Sequence, residues 1–326
     1  MFGSNNLRSK PLIAMAILFL LLPGGARIVA AADAIKPFIL AGVYQGGDTA
    51  QIVSATREKL AGNGFDVIGE YSPYTGTVIL AFTSERLKAN AAGSERGGYG
   101  AVMRASVTSN DGKVELAYSN PVYWANAYRL KEDLADTRAK LEQALGFQQE
   151  FGTGEKQLTA SDMREYHYTF MMEYFDDPSI LAHFDSHSEA VDTIARNLAD
   201  RVAASVKVYQ VDLQNDSEGT PMTLIGVGLT GTDEDDCSSD AYIMGRIDRS
   251  SPRHSAHLPY EILVYGNQAE ALYGRFRIAI SWPHLPMMAS ETGATFFSIM
   301  CAPGAIEDSL TRVAGGSGDS KSMTDK

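Results

Sequence analysis

The stretch Leu258 to Pro283, LPYEILVYGNQAEALYGRFRIAISWP, constrains the fold most. Two alternating arms flank Gly266-Asn267, a pair suited to the positive φ angles of a tight hairpin turn. Period-2 alternation assigns each side chain of the second arm to one face of a sheet. Leu272, Phe276, Ile278, Ile280 and Trp282 then face a core, and Tyr273, Arg275, Arg277 and Ser281 face away from it. Paired guanidiniums beside a phenol suit a carboxylate or phosphate. Tyr273, Arg275 and Arg277 are therefore the candidate ligand-binding residues, set against the plainer reading of a solvated sheet face.

The rest of the chain repeats this grammar. In residues 35–146, Asp48 and Gln51 read as a capping box that opens a helix stopped by Gly62-Asn63-Gly64. Strands Phe65 to Tyr71 and Thr77 to Thr83 follow, then a short helix from Ser84 to Gly93. A hairpin, Ala101 to Thr108 and Val114 to Ser119, is turned by Asn110-Asp111-Gly112, and leucines from Tyr128 to Leu145 mark an amphipathic helix. Residues 147–185 read as a linker plus an aromatic and methionine packing segment. In residues 186–314 the capping pair Ser186 and Glu189, strands Val206 to Leu213 and Met222 to Leu229, the long hairpin and a C-terminal helix recur in the same order. The expected fold class is α+β: two similar units, each a mostly antiparallel sheet backed by helices, packed as a pseudo-symmetric pair. Residues 315–326 read as a disordered tail.

Residues 1–34 carry Arg8 and Lys10, the 12-residue apolar run Pro11 to Leu22, and a small-residue tract ending in Ala-Asp-Ala. This is the pattern of a secretory signal peptide, too short for the roughly 20 residues a bilayer crossing needs. Export to the periplasm or the extracellular space is expected, with a mature start near Asp33 or Ile35 and no membrane anchor after cleavage. Removing residues 1–34 takes away Arg8, Lys10, Arg27 and Asp33, a net +2, so the formal charge of −12 becomes −14. Such a surface disfavours nucleic acid, which is bound by clustered Lys and Arg.

Two cysteines in an exported chain, Cys237 and Cys301, point to a disulfide. The open alternative is a free Cys301: with Pro303 in the first turn of the last helix, its thiol would stand at a helix N-terminus and be activated there. Metal readings are weaker. Met171, Met172 and His167 read as packing. His183 and His187 fall around the Ser186 cap rather than on one helix face. Cys237, His254, His257 and Cys301 match no standard finger spacing, and Asp233 to Asp236 lacks the closing glutamate of a calcium loop. The run Gly97 to Gly100 opens a strand, whereas a phosphate loop opens a helix. No metal and no cofactor is expected.

The Asn63-Gly64-Phe65 helix exit, the Leu258-Pro259-Tyr260-Glu261 lead-in to a strand and the closing Ala302-Pro303-Gly304-Ala305-Ile306-Glu307 resemble the bacterial family called domain of unknown function 302, in two tandem copies over residues 38–313. The resemblance implies small helix-backed α+β domains that tend to pair, and brings no catalytic residue. The functional expectation is a binding or accessory module for a small molecule or an envelope protein, as a monomer or homodimer. The alternative is a redox or other enzyme using Cys301.

Overall fold

The second arm of the long hairpin is a strand only at its start. In the computed structural model, which describes residues 1–3, 33–170 and 172–317, pairing stops at Ala271 and the chain turns into a helix over Gly274–Ser281. The apolar residues Phe276, Ile278, Ala279 and Ile280 are buried there, because this helix is enclosed nearly all round. A fully enclosed helix carries apolar residues on every side, so strand-like alternation does not distinguish it from a strand. At the turn, Gly266 has φ +62 and Asn267 does not join it among the positive-φ residues.

In chain order the first half comprises β1 (Phe38–Gln45), α1 (Thr49–Gly62), β2 (Asp66–Tyr71), β3 (Thr77–Thr83), α2 (Glu85–Ala92), β4 (Met103–Asn110), β5 (Lys113–Ser119), α3 (Pro121–Ala127), α4 (Ala135–Leu145), β6 (Gln149–Phe151) and α5 (Ala160–Arg164). The second comprises β7 (Ser179–His183), α6 (His187–Ala199), β8 (Ser205–Leu213), β9 (Met222–Leu229), α7 (Asp240–Ile247), β10 (Tyr260–Tyr265), β11 (Gln268–Ala271), α8 (Gly274–Ser281) and α9 (Ala302–Val313). The fold class is α+β, with two antiparallel sheets.

Local chemistry sets the boundaries. Asp48 and Ser84 cap α1 and α2 by accepting from Ala50 N and Leu87 N, and Ser186 caps α6 by accepting from Glu189 N. Of the expected capping boxes, that of Ser186 forms by half, since Glu189 accepts from Asp185 N instead, and Asp48 bonds Ala50 N rather than Gln51 N. The helix expected over 128–145 starts later, as α4 behind Leu134 in the left-handed region, and a separate helix not expected from the sequence, α3, precedes it behind the Asn120 cap with Pro121 in its first turn. The supposed linker contributes β6 to the first sheet, and β7 starts the second half before residue 186. Tyr166 and Phe175 pack on α8, with both rings against Phe276.

The strand orders are β2-β3-β4-β5-β1-β6 and β7-β11-β10-β9-β8. Read from the same end, both halves share the order second, third, fourth, fifth, first. Both also carry an irregularity at one place, between Val67 and Gly69 on β2 and between Lys207 and Tyr209 on β8. Residues from Asp33 onward form one compact unit, not two separable ones. The halves meet where β2 touches β8: a Cβ on Gly69 would stand 2.4 Å from the Val208 carbonyl oxygen. Gly98 is equally committed, with Leu263 2.4 Å from where its Cβ would be, so the glycine run serves close packing rather than phosphate.

The expected signal peptide lies outside the described residues apart from its two ends, as does the last part of the tail. Among the described residues no helix is long and apolar enough to cross a membrane.

Candidate functional site

The helical α8 takes the three expected ligand-binding residues apart. Tyr273 is its N-cap, partly exposed; Arg275 and Arg277, two apart on a helix, point to different sides. Arg275 pairs with Glu173. Arg277, 1% exposed, is held in the seam between the halves. There Glu261 receives Arg104 from the first half and, at 3.4 Å, Arg277 Nε. Tyr209 donates to Glu261 at 3.1 Å and stands 3.3 Å from Arg104. Arg277 also donates to the His257 carbonyl, at 2.5 Å, and to Nδ1 of the same residue, at 3.0 Å, and its guanidinium lies 5.0 Å from the Trp124 ring. Burial, then the Arg277 charge, pushes His257 well below the usual imidazole range, so it is neutral and accepts that bond. Arg104, Arg277 and Glu261 are all buried in this cluster. Its role is to join the halves.

Cys237 and Cys301 are bonded to each other, and no cysteine is free. Cys301 does stand at the start of α9, and as a half-cystine it offers no thiolate there. The disulfide also takes both sulfurs from the supposed Cys/His metal set. His187 uses both ring nitrogens, on the Gly266 carbonyl at 2.7 Å and Thr223 Oγ1 at 2.9 Å. The acidic run closes on itself through Thr232, Asp236 and Ser238. Among the described residues no group of three or more His, Cys, Asp or Glu is placed to hold a metal.

A different histidine, weighed in the sequence only as a metal ligand, sits where chemistry is feasible. After α7 the chain folds back, and its loop is pinned to the first half because Glu115 on β5 accepts from Ser251 Oγ and, at 2.8 Å, from Arg253 N. Asp248, 1% exposed, accepts from His254 N at 2.9 Å and Arg253 Nε at 3.2 Å. Its Oδ1 lies 3.3 Å from His254 Nδ1, close enough for ion pairing although not aligned as a hydrogen bond. The imidazole stacks on Trp282 at 5.0 Å and meets the rings of Phe38 and Phe151 at 5.3 Å.

His254 and Asp248 line a cavity of about 210 Å³ together with Ser250, Trp282, His284, Leu285 and Thr292. His284 donates from Nδ1 to the Gly152 carbonyl, at 2.9 Å, leaving its Nε2 lone pair free to accept. Burial, then the nearby His254, lowers its proton affinity. His254 Nδ1 lies beside the Asp248 carboxylate, and neither of its ring nitrogens has a hydrogen-bond partner. One imidazole, His284, is thus held from behind with an acceptor nitrogen spare, and the other, His254, has both ring nitrogens unpartnered. That arrangement can accept a hydrogen bond, or a proton, from a small molecule. Sequence spacing does not reveal it: Asp248, His254 and His284 come from two loops, and the rings that enclose His254 come from β1, β6 and the residue after α8.

Comparison with protein-family models, with curated proteins and with solved structures finds no match in any of the three. The resemblance to domain of unknown function 302 therefore rests on the quoted residues alone.

Proposed function

We propose that the protein is an exported binding module that takes a small hydrogen-bond-donating molecule in the cavity beside His254 and His284. The observation that carries this is His254 itself: an imidazole 6% exposed, with neither ring nitrogen hydrogen-bonded, in a residue that lines the cavity. A buried polar atom without a partner is costly, and a ligand N–H or O–H removes that cost. At about 30 Å³ each, roughly seven water-sized groups fill the space, so the occupant is small. The basic and apolar pattern of residues 1–34 supports export.

The test is NMR of protein labelled on histidine side chains, titrated with a panel of small phenols and primary amides. Selective shifts of His254 and His284, lost in His254→Phe, are expected. Phenylalanine keeps the stack on Trp282 while removing the nitrogens. A panel that moves neither resonance overturns the reading. The Asp248–His254 pair favours a second reading, a proton-transfer enzyme with His254 as general base. Turnover of small phenyl esters that disappears in His254→Phe would favour it over binding alone.

We also infer that the halves are duplicated units related by an approximate two-fold axis. Strand register supports this. Arg104 stands opposite Ala81 and Glu261 opposite Gly226, each at the same place relative to the irregularity, and these two matching residues pair with each other. Counting on from the hairpins matches Trp124 with Arg277, which also meet. Superposing the halves in an experimentally determined structure tests it: Arg104 and Glu261 should coincide, and their failure to do so would end the inference.

A further inference from the structure

A second cleft shares no lining residue with the His254 cavity. The turns after α2 and α3 enclose about 380 Å³, into which Arg96, Arg129 and Lys131 all project lining atoms. Three cations in one cleft are unexpected in a chain of net charge −12; Glu95 and Asp176 are the acids on the same lining. Arg96 and Arg129 both have φ +50, a conformation that non-glycine residues rarely adopt and that tends to persist at functional sites. The two turns are fastened together. Lys131 N donates to Ser94 Oγ at 2.8 Å, while the Asn90 side chain bonds both N and O of Glu132, at 3.1 and 3.0 Å.

The cations differ in how they are engaged. Arg96 is held from the interior by the buried Glu270, at 3.2 Å. Arg129 spends its Nε on the Arg164 carbonyl, at 2.8 Å, and turns its NH1 to Asp176 Oδ2, at 2.7 Å. Lys131 is exposed, and among the described residues no carboxylate pairs with it. The Asp176 side chain is 61% exposed. It is a carboxylate resting on a guanidinium at the edge of a cationic cleft, held there by little else.

We propose that this cleft binds a small oxyanion, phosphoryl or carboxylate, between Arg129 and Lys131, and that Asp176 is its internal competitor. A bidentate or bridging oxyanion satisfies both cations at once, which the single Asp176 carboxylate does not do. The site is separate from the His254 cavity and stands or falls independently of it.

Calorimetric titration of the mature chain with inorganic phosphate and with succinate tests the proposal. Asp176→Asn is expected to tighten phosphate or succinate by about threefold or more, because a competing charge is removed. Adding Lys131→Gln to that variant should weaken the same anion by about tenfold. Both positions are exposed, so an unchanged melting temperature checks that folding is intact. Preference for phosphate would assign a phosphoryl ligand, and preference for succinate a carboxylate. No heat from Asp176→Asn up to about 20 mM of either anion, or binding indifferent to Lys131→Gln, would overturn the site.

Discussion

The two halves share a strand order and differ in how they are fastened. In the first, Arg86 on α2 reaches Glu132 and, at 2.9 Å, Asp136, tying that helix to the start of α4 through exposed ion pairs. In the second, the Cys237–Cys301 disulfide ties the segment before α7 to the start of α9. The same need, holding a late helix against a middle one, is met ionically in one half and covalently in the other. At the seam the difference becomes complementary. Where the first half has Arg104 the second has Glu261, and where the first has Gly69 the second has Tyr209, matched through the register of β2–β4 and β8–β10. Tyr209 fills the space above Gly226, whose Cβ would lie 2.3 Å from the ring. Two copies with the same residue at the Arg104 position would oppose like charges in a buried seam. The difference between the halves is therefore part of how they fit.

The seam should be the most costly place to break. Glu261→Leu leaves Arg104 and Arg277 buried without their carboxylate, and a loss of about 3–5 kcal/mol in urea unfolding is expected. Restoring stability with Arg104→Met and Arg277→Met in the same chain would show that charge balance, not shape, is at stake. A Glu261→Leu protein within about 1 kcal/mol of wild type would break the comparison.

The fastenings come next. Replacing both cysteines by serine opens a closure 64 residues apart in sequence and should cost about 2–4 kcal/mol. Arg86→Ala should cost less than about 1 kcal/mol, since exposed ion pairs contribute little. Equal effects in the two halves would contradict the distinction drawn between them.

A pH dependence sharpens the seam further. Asp240, accepting from Tyr71 at 2.6 Å and Leu229 N at 3.0 Å, has its pKa pushed up to about 7 by burial. The folded protein then holds a proton that the unfolded chain releases near pH 4, so this contribution is full below pH 4 and fades as pH rises to about 7. Asp240→Asn should flatten the decline of melting temperature between those limits. A decline unchanged in the variant would assign it to Glu307, whose pKa burial and Glu173 also raise to about 7. The smallest effect expected is on ligand affinity alone: His254→Phe should abolish the NMR response with a melting temperature shift of only a few degrees.

The sequence by itself determined most of the strands and caps, because these rest on local periodicity and on side chains that bond the neighbouring backbone. Thr77–Thr83, Met222–Leu229, the Asp111-Gly112 turn and the Ser84 and Ser186 caps are of this kind. Tertiary structure decided what is made where the halves enclose a segment. Residues 274–281 alternate like a strand and are a helix, and burial on nearly all sides leaves no amphipathic signal to show it. Arg277 pairs with Glu261 only because the chain folds back on itself, and His254 lies beside Phe38, 216 positions away, because Glu115 anchors its loop to β5. Contacts of that separation depend on packing, and no residue spacing encodes them.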